Sequence, residues 1–449
     1  MAADRTALLA VPAAAALLLW PALWNGYPII FADTGTYLSQ AIHRYAGWDR
    51  PVFYSVFMLP LHATVTVWPV VAVQALLAAW VLWLVFRVLV PGVSVIAFVG
   101  CVAALSGGTW LPWLVSELMP DLFTPLLVLV LCLLALVPER LSVWERGVLV
   151  GLATFMIASQ QSSLPLVFAL AAVLGCHGPA RASASVSCPG ASEPPRRWLL
   201  IVLPPALALI GLCSVNLAAH GRFAISPFGN VFLLTRVIYD GPGMAVLRRD
   251  CPGANWRLCP FLDSFPPTSD DFLWTQDSPL NRAGGAKIVS GDAGAIIQAA
   301  LLADPVGEVR AALANTLKQM AQFDSGDGLN PWPAQVSPTI DRDFPARERA
   351  AYASARQQAG FLSVPPLLAR IHKIVALSGS IGCAILLPVA FKRRASCAGF
   401  LLAVLLALPV SAAITGGLSA PHDRYQARIM WLPPFIAVLS FASLRRRLA

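Results

Sequence analysis

The chain has 449 residues, 57% of them hydrophobic and 12% charged, with a mean hydropathy of +0.68. A soluble domain carries about a quarter charged residues, and a soluble fold of this length could not hide so much apolar surface, because accessible area falls too slowly with size. The net charge of +9 would point to nucleic acid in a soluble protein. Here the basic residues gather in short segments between apolar runs, so the expected partner is the lipid bilayer and not nucleic acid.

A membrane-crossing helix needs roughly 20 mostly apolar residues. The first such stretch covers about 7–24, behind Arg5; Ala22-Leu23-Trp24 is a poor cleavage site, so it reads as an uncleaved helix and not a signal peptide. Further spans are expected near 68–90, 93–111 and 119–137, then 198–217, 367–391, 398–414 and 429–444. Between them the 147–176 stretch is interrupted by Ser159-Gln160-Gln161-Ser162-Ser163. If it crosses twice, Arg5, Arg87, Arg140, Arg146, Arg181, Arg196, Arg197, Lys392-Arg393-Arg394 and Arg445-Arg446-Arg447 all share one side, as the positive-inside bias requires. Each half is short for a crossing, so one is expected to dip or to sit in a protein-lined groove.

The expected fold is therefore an all-α polytopic membrane protein of about ten transmembrane helices with an inserted, mixed or mainly helical exterior domain. Residues 1–219 form the N-terminal transmembrane part with a first exterior loop at 25–67. Residues 220–366 form the exterior insertion, and 367–449 the C-terminal transmembrane part. Both termini face the cytoplasm. Segments 110–119 and 416–428 share the exterior face, and 177–197, rich in Ala, Ser, Pro and Gly, reads as a flexible cytoplasmic linker.

Composition shifts sharply at both borders of the insertion. Within it Val306, Val309, Leu313, Leu317 and Met320 recur at helical spacing, behind a helix-starting Pro305; this face is expected to pack on the membrane part. Of nine cysteines only Cys251 and Cys259 fall in the insertion, and an oxidising exterior favours a disulfide between them. No His/Cys cluster has zinc-ligand spacing.

Ionisable residues at membrane boundaries are costly and usually functional. Four exterior segments carry them: Asp33 with Tyr37 one helical turn on, Asp49-Arg50-Pro51, Glu117 and Asp121 around Met119-Pro120, and His422-Asp423-Arg424-Tyr425 with Arg428. Carboxylates there can accept a proton from a hydroxyl nucleophile or hold a divalent cation such as Mg or Mn. Arginines suit a phosphate, through a bidentate geometry lysine lacks. Structural roles stand beside these: Asp33 as a helix cap, and Arg424 paired with Asp423 or anchored at lipid phosphates.

The acid after the first span, the Tyr four residues on and Arg50-Pro51-x-x-Tyr54 form one pattern. With Gly151-Leu152-Ala153 opening the fifth span and Arg424-Tyr425 before the last, it resembles the GT-C superfamily of polytopic membrane glycosyltransferases. The nearest likeness is to its dolichyl-phosphate-mannose-transferase-like and aminoarabinose-transferase-like bacterial members. The resemblance covers roughly residues 20–175 and 415–440 and does not extend to the insertion. It implies a bacterial inner (plasma) membrane, with 220–366 periplasmic. It also implies a polyprenyl-phosphate-linked sugar donor and inverting transfer to a glycan, lipid or protein acceptor on the exterior face. Asp33 matches the catalytic acid position, as general base. Arg424, Tyr425 and Arg428 match the donor-phosphate loop, and Arg50 would help close the site. Glu117, Asp121, Tyr37 and His422 are candidates for acceptor or metal contacts. Many members carry two adjacent acids in the first loop; Asp33 has no acidic neighbour in sequence. Two other readings remain. A transporter or flippase of a lipid-linked or anionic solute would place charges along a pathway within the spans and show inverted repeats, of which the sequence has few and none. A non-catalytic GT-C-like scaffold subunit would bind lipid or a partner through the insertion.

Overall fold

A computed structural model describes residues 2–92, 94–176 and 197–446. The cytoplasmic linker expected at 177–197 therefore lies almost wholly outside the described residues. Among those residues helix is the only extended regular structure, and the one β-bridge joins Ile29 to Glu117. This follows from the composition, since an apolar surrounding leaves backbone N–H and C=O groups only internal partners.

The chain runs through α1 (Ala2–Leu17), α2 (Trp20–Asn25), α3 (Ala32–His43), α4 (Val52–His62), α5 (Trp68–Leu89) and α6 (Val95–Gly108). It continues with α7 (Leu111–Val115), α8 (Phe123–Leu136), α9 (Val143–Ser159), α10 (Ser163–Cys176) and α11 (Arg197–His220). The insertion contributes α12 (Asn230–Asp240), α13 (Pro242–Ala254), α14 (Ser269–Trp274), α15 (Pro279–Arg282) and α16 (Gly285–Ala303). After these come α17 (Pro305–Ala321), α18 (Pro333–Asp343) and α19 (Ala346–Ala353). Last are α20 (Pro366–Lys392), α21 (Cys397–Leu418), α22 (Asp423–Ala427) and α23 (Leu432–Arg446).

Six helical stretches are long and apolar enough to cross a membrane: Trp68–Leu89, Trp198–His220, Gly285–Ala303, Pro366–Lys392, Cys397–Leu418 and Asp423–Arg446. The other expected spans are helices too, but shorter, with 14 residues in α6, α8 and α10. The interrupted 147–176 stretch is two helices, broken between Ser159 and Ser163. Several long helices leave one side bare. On α20 the exposed residues Ile371, Ile374, Leu377, Ile381 and Ile385 follow the helical period. A soluble protein rarely shows so large an apolar patch, whereas a bilayer covers it at no cost.

The long α5 separates two chemically different ends. At its start, Gln74 donates to the carbonyls of Val115 (3.2 Å) and Glu117 (2.8 Å). At its other end Arg87 pairs with Glu145 at 2.9 Å, Arg140 donates to the Val88 carbonyl at 2.8 Å, and Arg446 to that of Pro91 at 2.6 Å. With ~1.5 Å per residue, the stretch from Gln74 to Arg87 puts about 20 Å between the polar contacts and this basic rim.

The insertion is helical and holds a core of its own. Val231, Leu234, Val246, Leu258, Phe272, Leu280, Val289 and Ile296 are buried together, apart from the main core. Here α16 spends its apolar face, although it is long enough to span a membrane. Cys251 and Cys259 are joined by a disulfide.

One expectation fails. The Val306–Val309–Leu313–Leu317–Met320 face does not pack on the membrane part; all five residues are exposed. α17 turns its opposite, small-residue and amide face to α21, with Ala312 beside Gly417 and with Asn315 and Gln319 against Gly416, where a Cβ would overlap the Asn315 carbonyl. Small residues let helices approach closely where apolar burial supplies no drive between them.

Candidate functional site

The first polar loop is two short helices, α3 and α4, and its start is held from the far end of the insertion. Gln357 accepts from the Ile30 N–H at 3.0 Å and donates to the Ile30 carbonyl at 2.7 Å, while its own N–H donates to Asn25 Oδ1 at 2.8 Å. Glu348, buried, accepts from the Tyr27 hydroxyl (2.8 Å) and the Val67 N–H (2.9 Å). The Ile29–Glu117 bridge adds Ile29 N–H to the Ser116 carbonyl and Leu118 N–H to that of Ile29. Three segments distant in sequence thus fix the backbone just ahead of Asp33.

Asp33 lies in the first turn of α3 but does not cap it; the N-cap is Phe31, whose N–H donates to Thr34 Oγ1 at 2.9 Å. This frees the Asp33 carboxylate to accept from Arg50 Nη2 at 2.7 Å. Arg50 also lies 4.0 Å from Asp49 Oδ2 and stacks over the Trp274 ring at 5.2 Å. Arg50 therefore serves two carboxylates. Burial pushes the Asp49 carboxyl above its ordinary range, and Asp33 adds to the rise that Arg50 opposes. The acidic neighbour that Asp33 lacks in sequence is supplied by Asp49 in space.

Opposite stands a reversed arrangement. Asp121, in a tight turn ahead of α8, is gripped by Arg428 Nη1 at 2.7 Å and faced by Arg424 Nη1 at 3.5 Å. Arg428 is 1% exposed, and in the amide orientation that its neighbours require, Gln160 accepts from Arg428 and donates to the Pro120 carbonyl at 3.1 Å. Arg424 lies over the Phe31 ring at 3.9 Å and the Tyr425 ring at 4.9 Å. Its Nη1 makes no hydrogen bond, so it keeps donor capacity.

Both groups line one cavity of about 480 Å³, with Tyr37, Tyr425, the α9–α10 break at Ser159–Ser162, and an apolar flank of Pro165, Phe232, Leu233, Ile414 and Leu418. Behind Phe232 of the cavity wall, Trp48 of the first loop stacks on Phe232 at 5.5 Å and on Trp274 at 6.2 Å, joining the loop to the insertion. The polar interruption that decided the expected number of crossings is thus part of the cavity wall.

Two expected site residues lie elsewhere. His422 turns to Asp270 at 3.2 Å, and this hydrogen bond holds the Asp270 carboxyl below its ordinary range. Glu117 faces a smaller cavity with Trp110, Trp113, Asp324 and the back of Arg424. Burial, reinforced by Asp121, pushes its carboxyl well above the ordinary range. Asp121 is taken by its two arginines. For a divalent cation the available donors are Asp33 and Asp49, and both already face Arg50. Among the described residues no three His, Cys, Asp or Glu side chains converge as a metal site. The donor set fits a cation poorly, and no step below passes through one. Sequence reading placed Asp49 in a candidate segment without a role of its own and passed over Gln160 as a site residue; the signal for Asp49 was its place beside Arg50, and for Gln160 the polar break itself.

Comparison with known proteins finds no match: no family model, no curated protein and no solved structure is similar to this chain.

Proposed function

We propose that the chain is a membrane glycosyltransferase of the GT-C kind, moving a sugar from a polyprenyl-phosphate carrier to an acceptor hydroxyl at the outer face of a bacterial inner membrane. One observation carries the reading: a single cavity with paired carboxylates on one wall and paired arginines on the other, beside an apolar flank. Asp33, aimed by Arg50, takes the proton from the acceptor hydroxyl while that oxygen attacks the anomeric carbon. The bond from that carbon to the donor phosphate oxygen breaks, and configuration inverts. Charge growing on the phosphate is met by Arg424 and Arg428, already held in place by Asp121, Gln160 and the Tyr425 ring. Tyr37 and Asp49 border the acceptor side. In this reading the α9–α10 pair crosses twice, giving ten crossings with both termini and the basic rim in the cytoplasm and the insertion in the periplasm.

The test is sugar transfer in reconstituted membranes from a polyprenyl-phosphate sugar. Asp33→Asn and Arg424→Ala are expected to fold, insert and lose transfer. Full activity in both variants overturns the assignment. A carrier of anionic lipid-linked solutes would use the same arginines, but would move substrate across the membrane without consuming it and would tolerate Asp33→Asn.

A further inference from the structure

A groove of about 500 Å³ lies between the α3–α4 corner and the end of α11, apart from the cavity described above. Its size suits a small ligand. Between the two spaces is a gap of about 10 Å³, with Val52 and Val215 on the groove side and Arg50 and Gln161 on the cavity side. Such a gap holds at most one water, so the groove is a separate compartment.

Two side chains of its lining are buried with a polar atom left unpaired. Gln40 is 1% exposed and Ser55 is 0% exposed, and neither Gln40 Nε2 nor Ser55 Oγ has a hydrogen-bond partner among the described residues. A buried donor without an acceptor is costly. Beside them Arg44 is exposed and makes no ion pair or side-chain hydrogen bond among the described residues. No acid lines the groove, so Arg44 is its one charge. The other walls are apolar: Val52, Val56 and Leu59 of α4 and Val215, Ala218 and Ala219 of α11. α11 is long and apolar enough to cross a membrane. Next to Ala218, Leu217 is exposed, as is Ile210 two turns back, which is how a lipid-facing side is built.

We infer that this groove is a binding site for an anionic phospholipid, with the headgroup phosphate at Arg44 and the Gln40 amide and an acyl chain between α4 and α11. Phosphate oxygens supply the acceptor that the Gln40 amide lacks, and the guanidinium supplies a charge-assisted partner. A free phosphate would leave the apolar walls bare, and a zwitterionic lipid would bring its own cation to Arg44. Gln40 also ties the site to the cavity: its Oε1 accepts from the Gly47 N–H at 2.8 Å, two residues before Asp49. The lipid thus rests against the loop that carries Asp49 and Arg50.

Photo-crosslinking tests this in the full-length protein, reconstituted in vesicles of equimolar phosphatidylglycerol and phosphatidylcholine. p-Benzoylphenylalanine replaces Val56 in the groove or, as a reference, Ile210 on the lipid-facing side of α11. Adducts at 56 are expected chiefly with phosphatidylglycerol, and at 210 with both lipids alike. In Arg44→Asn the preference at 56 should fall about tenfold, the scale of one lost charge-assisted hydrogen bond; in Arg44→Lys it should persist. Asparagine suits the left-handed backbone of residue 44 (φ 57°), so the variant keeps the fold. Equal labelling by the two lipids at 56, the same preference at 210, or a preference that survives Arg44→Asn overturns the inference. So do adducts joining two copies of the chain, or loss of the adducts to excess inorganic phosphate. Sugar transfer is not read in any arm, so this site and the proposed activity fail separately.

Discussion

The two walls of the cavity are built from the same residue types in opposite proportion. On one, a single arginine is shared by two aspartates; on the other, a single aspartate is shared by two arginines. The first wall is partly open, with Asp33, Asp49 and Arg50 side chains 16–19% exposed. The second is closed at Arg428 and Asp121, which are nearly inaccessible, while its Arg424 side chain is 15% exposed. A surplus carboxylate near solvent can take up and release a proton. A surplus of fixed positive charge in a dry site meets an anion without reorganisation. Under the proposed function, proton transfer falls to the first wall and phosphate binding to the second.

The most severe break of this asymmetry is Asp33→Asn, which removes the surplus carboxylate. Transfer should fall by ~10²–10⁴-fold, the usual range for a general base, with unchanged thermal unfolding; a fall below tenfold would move the role to Asp49. On the second wall Arg428→Ala should act on stability first. It leaves Asp121 buried without its closest partner, which costs about 3–5 kcal/mol, read by thermal unfolding in detergent. The paired change Asp121→Leu with Arg428→Met should restore most of that stability and none of the activity. Retained activity in the pair would mean the arginine binds no substrate.

Smaller effects lie outside the cavity. Cys259→Ser opens a loop of eight-residue separation and should cost about 2–3 kcal/mol by the chain-entropy relation, visible as earlier unfolding of the insertion. Glu117→Gln should change least. Glu117 has a raised carboxyl in the folded protein, so its contribution to stability is full below the ordinary carboxylate range and is lost as pH rises through the raised value. The glutamine variant should lose that slope in thermal unfolding between acid and mildly alkaline pH. An unchanged slope would show that Glu117 is not the titrating group.

The sequence made much of this legible through charge and spacing. Asp33 and Tyr37, four residues apart, do share one helix face and one cavity, because local periodicity survives whatever packs around it. Arg424 and Arg428 were visible as positive charges on the wrong side of the expected topology. What spacing could not supply was partnership across long separations: Asp121 with Arg428, 307 residues apart, or Gln357 with Ile30, 327 apart. The α17 stripe failed for a different reason. Helical periodicity identifies an apolar face, but protein and lipid cover such a face equally well, and the side that meets α21 is marked by Ala312, Asn315 and Gln319, which read as neutral surface. Helix length misleads likewise for α16, whose apolar residues fill the insertion's core.

The most direct measurement is the retention of polyprenyl phosphate, free of sugar, by the detergent-purified protein, followed by native mass spectrometry for wild type, Asp33→Asn and Arg424→Ala. If the second wall binds phosphate and the first moves the proton, wild type and Asp33→Asn retain the lipid equally and Arg424→Ala loses it. Equal retention by all three, or loss in Asp33→Asn with retention in Arg424→Ala, would contradict the account.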